Sequence, residues 1–149
     1  MPASLALITL VVEDYDKAIE FYTEKLHFRL VEDTPLTPQK RWVVVSPPGN
    51  NQNNSNNSGC NVLLAKAAND EQSSRVGNQT GGRVFLFLHT DNFQRDYQNL
   101  LTNNVRIVRA PSVEPYGTVA VFSDLYGNLW DLIGPNPPGA HSLGNIQQT

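Results

Sequence analysis

Residues 10–28 read LVVEDYDKAIEFYTEKLHF, and the period of the pattern changes partway through. The run Leu5 to Val12 that leads into it is apolar, rich in β-branched residues and closed by Glu13-Asp14, which is a strand signature. Asp14 or Asp16 then supplies a helix N-cap, and Ala18, Ile19, Phe21, Tyr22 and Leu26 recur at helical spacing. A short strand, Phe28 to Val31, follows, and Lys40 to Ser46 and Asn61 to Ala65 complete a strand–helix–three-strand unit. The same order returns downstream. RVFLFLHT from Arg83 is a strand, Asp91 or Asn92 the cap, and Tyr97, Leu100 and Leu101 the helix stripe. Val105–Val108, Thr118–Phe122 and Leu129–Ile133 are the next three strands. A shift of about 78 positions lays Leu7 on Phe85, Leu10 on Leu88, Asp14 on Asn92 and Tyr22 on Leu100. A four-stranded sheet with one helix is too thin to stand alone, so the halves must share a surface. The expected class is α+β, built of two βαβββ modules, each a sheet with a helix on one face.

Composition narrows the rest. The chain has 149 residues, 40% hydrophobic, with a net charge of −3, which fits one domain of ordinary size. Its Lys and Arg residues are scattered, so no nucleic-acid partner is expected. One cysteine, Cys60, excludes a disulfide framework and a Cys-rich zinc site. The N-terminal apolar run lacks a basic flank and is too short to span a bilayer, which points to a cytoplasmic protein with no membrane partner. Residues 49–59, GNNQNNSNNSG, read as a solvated loop tip between strands, and residues 136–149, which carry His141, as an irregular tail. The domain is expected over 1–135, with module one at 4–67, a linker at 68–82 holding a short helix near Asp70–Val76, and module two at 83–135.

The stretch 10–28 resembles the opening module of the vicinal oxygen chelate superfamily, which includes glyoxalase I, bleomycin-resistance proteins and extradiol dioxygenases. FSDLYGNLWDLIGP, residues 122–135, resembles that superfamily's closing motif. The resemblance covers about residues 4 to 135 and implies that the two modules form a cupped mixed sheet with helices on its outer face, often in homodimers that exchange arms. It also implies four positions for ligands of a divalent metal, usually His, Glu, His and Glu, one on each of four strands. Here they fall on Leu7, about Leu64, Phe85 and Asp131. Three of these are hydrocarbon and offer no lone pair to a cation. Their neighbours Ala6, Ile8, Leu63, Ala65, Val84 and Leu86 are apolar too. The usual metal, and with it any cofactor, is therefore expected to be absent.

Strand alternation supplies an independent reading of the cup. In RVFLFLH one face carries Arg83, Phe85, Phe87 and His89, and in LWDLI the inward set is Leu129, Asp131 and Ile133. An aromatic hollow with a cation, a carboxylate and an imidazole suits a small aromatic or anionic ligand. Arg83 can clamp a carboxylate, or it can neutralise Asp131 across the cup. His89 and Asp131 can form a proton-transfer pair, or His89 can bond the turn after its strand. Tyr116 can close over a ligand or simply occupy a turn, and Arg41 or Trp42 can reach the rim or lie on a solvated face. The expected ligand-binding set is Leu7, Leu64, Arg83, Phe85, Phe87, His89, Tyr116 and Asp131. Cys60 lacks an evident base and reads as an ordinary thiol. The leading expectation is a metal-free homodimer that binds a small molecule. The alternatives are a divergent lyase, isomerase or dioxygenase acting through His89 and Asp131, and a structural dimer with a filled cup.

Overall fold

In the computed structural model, which describes residues 2–50 and 59–139, the two predicted modules form separate four-stranded mixed sheets. The chain divides into two compact units, Met1–Gln79 and Thr80–Thr149, and the division falls inside the expected linker. The first unit holds β1 (Leu7–Val12), α1 (Tyr15–Glu20), β2 (Arg29–Pro35), β3 (Arg41–Ser46), β4 (Asn61–Lys66) and the linker helix α2 (Asp70–Arg75). The second holds β5 (Val84–His89), α3 (Phe93–Thr102), β6 (Arg106–Glu114), β7 (Gly117–Ser123) and β8 (Leu129–Gly134). The strand orders are β1-β4-β3-β2 and β5-β8-β7-β6, so each module has the same topology. In each, the first and last strands pair in parallel and the other neighbours are antiparallel. The Asn-rich residues 51–58 and the tail residues 140–149, His141 included, lie outside the described residues.

The repetition reaches the caps. Asp14 accepts a hydrogen bond from Lys17 N at 2.8 Å, and Asn92, 78 positions later, accepts one from Arg95 N at 3.1 Å. After each helix a non-glycine residue takes the left-handed conformation, His27 at φ 59° and Asn104 at φ 57°. These two are separated by 77 positions rather than 78, so module one carries one extra residue between cap and helix end. It is absorbed where α1 widens into a π-helical stretch, Phe21–Lys25, the usual structural result of a one-residue insertion into a helix.

The core of each module lies between helix and sheet. In module one Leu10, Leu64 and Val43 are fully buried, as are Ala18 and Tyr22 of the helical segment. In module two Trp130, Leu132, Ala120 and Phe122 are buried, with Phe93 and Leu100 of α3. β2 and β6 run longer than predicted, to Pro35 and Glu114. Both are outer strands, and each has a register shift after its second residue, between Leu30 and Glu32 and between Ile107 and Arg109. The low strand propensity of EDTP and APS hid those extensions, because an edge strand tolerates Pro and charge that a central one does not.

Candidate functional site

A turn at the end of β7 sets the register of the strand that carries Asp131. Asp124, buried in that turn, accepts hydrogen bonds from the backbone N–H groups of Tyr126, Gly127 and Asn128 at 2.9, 3.0 and 2.9 Å. Its second oxygen accepts from Asn128 Nδ2 at 2.8 Å. One carboxylate thus organises the whole Asp-Leu-Tyr-Gly-Asn turn, and Gly127 at φ 105° supplies a conformation that L side chains rarely adopt.

From there the ladder determines the face. Asp131 lies opposite Phe87 on β5 and Val121 on β7, and Val121 lies opposite Arg109 on β6. Paired residues share a face, so Phe87, Asp131, Val121 and Arg109 form one row on the side away from α3. The next row runs His89, Ile133, Val119, Ser112. Phe87 is 59% exposed. Beside it Asp131 is half-buried, with Oδ1 enclosed and without a hydrogen-bond partner among the described residues. Burial pushes the Asp131 carboxyl above its ordinary range, and the charge of Arg109 pulls it partly back.

Of the residues expected at the site, the ladder brings Phe87 and Asp131 into one row and puts His89 in the next. β5 has a register shift between Val84 and Leu86, so Val84, not Phe85, lies opposite Leu129. The simple alternation that joined Arg83 and Phe85 to this face therefore stops at the irregularity. Arg83 precedes the strand and is exposed, and the cation acting on Asp131 is Arg109, not Arg83. Leu64 lies opposite Leu10 and Val43, on the side packed against α1, and is fully buried; Leu63 is the residue on the helix-free side. Leu7 is half-buried in β1, opposite Asn61.

Tyr116 sits in the tight turn between β6 and β7, 72% exposed. His89 lies on the strand next to Asp131 but one row away, and no hydrogen bond joins them among the described residues. Burial raises the Cys60 thiol, which donates to Asn61 O at 3.3 Å, consistent with an ordinary thiol. Arg41 is engaged elsewhere, with Asp33 at 2.7 Å and Asp16 at 2.9 Å, over the ring of Tyr15. Arg109 went unforeseen because it lies beyond the predicted end of its strand and past a bulge.

Among the described residues no three His, Cys, Asp or Glu side chains stand together as a cation site. Helices long and apolar enough to cross a membrane are likewise absent among them.

Known proteins share both sequence and architecture with this chain. An uncharacterised protein of Shewanella frigidimarina (strain NCIMB 400) is 56% identical over 91% of this chain and 96% of its own length. The crystal structure of UcmS2 is 30% identical with a TM-score of 0.74, covering 89% of this chain and 98% of that one. TnmS3, an antibiotic binding protein from Streptomyces sp. CB03234, is 28% identical with a TM-score of 0.69, over 91% and 99% of the two chains. The sequence model of one family matches residues 4–132. With the duplicated βαβββ topology, that match establishes that the chain belongs to the Glyoxalase/Bleomycin resistance protein/Dioxygenase superfamily.

Proposed function

We propose that this protein binds a small aromatic molecule on the helix-free face of module two, without a resident metal, and works as a homodimer. The observation that carries the reading is the unpartnered, enclosed Oδ1 of Asp131 beside the exposed ring of Phe87. A buried acceptor without a donor is costly, and a ligand O–H or N–H removes that cost. Phe87 supplies an aromatic surface next to it, and Arg109, in the same row, favours a ligand that also carries negative charge. Kinship with a protein described as antibiotic binding supports a small organic molecule as the occupant.

The residues do not fit the metal of the superfamily's enzymes. Leu7, Phe85 and both Leu63 and Leu64 are hydrocarbon, and Asp131 alone offers oxygen. The alternative of catalysis by His89 and Asp131 has less support, since the pair are unlinked and diagonally placed.

The test is calorimetric titration with 1-naphthol, an aromatic ring bearing a single donor hydroxyl, against the wild type and Asp131→Leu. The wild type binds, and Asp131→Leu stays folded by circular dichroism but loses binding. Equal binding by a folded Asp131→Leu variant defeats the reading. Unfolding of that variant shows instead that Asp131 is a structural residue. Sedimentation equilibrium checks the homodimer.

A further inference from the structure

A hollow of ligand size lies wholly within module one. It measures about 560 Å³, at the C-terminal end of β4, within the volume range of small-molecule sites. We infer that this hollow is a binding site for a planar aromatic carboxylate, with Trp42 as its stacking surface and Lys40 and Lys66 as its anion-holding groups. The inference does not depend on Asp131, which belongs to the other unit.

Three observations carry it. The first is charge. Lys40, Arg41 and Lys66 line the hollow and no acidic side chain does. Arg41 is already neutralised by the carboxylates of Asp33 and Asp16. Lys40 and Lys66 are exposed and take part in no ion pair among the described residues, so their charge is available to an incoming anion. The second is apolar surface. Half-buried Trp42 and Leu63 line the space, while Ala65, Ala67 and Ala68 keep it open. Aromatic contact and flanking cations together select for a flat anion.

The third is that the walls are fixed before any ligand arrives. On one side, Arg41 lies 5.1 Å from the centroid of the Tyr15 ring, and its backbone N–H donates to the Tyr15 hydroxyl at 3.2 Å. On the other, Gln72 is held by a reciprocal cap. Its backbone N–H donates to Asn69 Oδ1 at 2.9 Å, and its own Oε1 accepts from Ala68 N at 2.7 Å. Such preorganisation lowers the entropy cost of binding.

The hollow does not follow from the fold alone. Tyr15 and Lys66 correspond in module two to Phe93 and Gly134, which are packed together. A Cβ added at Gly134 would meet Phe93 Cβ at 2.8 Å. The same corner is closed in one module and open in the other.

The experiment is calorimetric titration with 2-naphthoate, with 2-naphthamide as the neutral control. The wild type binds 2-naphthoate and binds 2-naphthamide more weakly. A Lys40→Gln/Lys66→Gln variant, changed only at exposed positions, binds 2-naphthoate roughly tenfold more weakly or worse. Trp42→Leu weakens both probes. Asp131→Leu, if folded, binds 2-naphthoate as the wild type does, so failure of the proposal for module two leaves this one standing. No binding of 2-naphthoate, equal affinity for the amide, or undiminished binding by the double lysine variant overturns the inference. Loss of 2-naphthoate binding in a folded Asp131→Leu protein overturns it as well, by placing the probe on the other module.

Discussion

Module one and module two are the same construction with different chemistry. Their central rows lie at equivalent ladder positions, Thr9–Leu63–Val44–Glu32 and Phe87–Asp131–Val121–Arg109. Backbone pairing makes no distinction between Leu63 and Asp131, because strand hydrogen bonds involve only main-chain groups. What differs is the cost. Leu63 adds apolar surface, whereas Asp131 places a carboxyl where one oxygen finds no donor among the described residues. The end corner shows the reverse, packed shut around Gly134 in module two and open between Tyr15 and Lys66 in module one. Each module therefore keeps its helix side as core and departs from its twin on the other side or at the strand ends. The two modules share what holds each sheet to its helix and differ in the remainder.

The largest effect tests the two sides of β4. Leu64→Ala removes a fully buried side chain between α1 and the sheet and costs about 2–5 kcal/mol. Leu63→Ala, one residue away and half-buried on the helix-free side, costs less than about 1 kcal/mol by the same urea unfolding measurement. Equal losses would show that β4 has no core side and would break the equivalence of the modules.

Next in size is the turn before β8. Asp124→Ala strips four donors of their common acceptor, and the loss expected is about 3 kcal/mol in chemical denaturation. Asp124→Asn keeps one acceptor oxygen and recovers part of it. Module one has Pro47 at the corresponding place, so no substitution there reproduces this loss.

The fold was legible because it is written twice. The strand at Leu7, the cap at Asp14 and the apolar stripe through Tyr22 each recur one module later, and the backbone carries all three in both places. The site was legible only where strands are regular. β5 and β8 stay in register from Leu86 to His89, so alternation there puts Phe87, His89 and Asp131 on one face. Before Leu86 the register is broken, so alternation carries no information on Arg83 and Phe85, and such an irregularity leaves no mark in composition. Counting along the family's motif leads to about Leu64, whereas the ladder position equivalent to Asp131 is Leu63, and adjacent residues of a strand point to opposite faces. Arg109 and the hollow beside Trp42 depend on a bulged edge strand and on the path of the linker. Both are tertiary facts that no local pattern in the sequence encodes.

The smallest effect bears most directly on the difference between the modules. Burial raises the Asp131 carboxyl in the folded protein, so the native state holds its proton more tightly than the unfolded chain does. Across the window between the ordinary carboxylate value and the raised one, the native state binds more protons. Stability therefore falls as pH rises through that window, and the deficit persists at neutral pH. Asp131→Asn keeps the shape and cannot ionise, so it melts higher than the wild type at pH 7, and the two curves converge as the solution is acidified below the carboxylate range. Arg109→Gln removes the charge that offsets burial, which lowers the neutral-pH melting temperature of the otherwise wild-type protein and leaves that of the Asp131→Asn variant nearly unchanged. If Asp131→Asn melts no higher than the wild type at pH 7, the carboxylate already has a satisfactory partner, and module two loses the open acceptor that distinguishes it from module one.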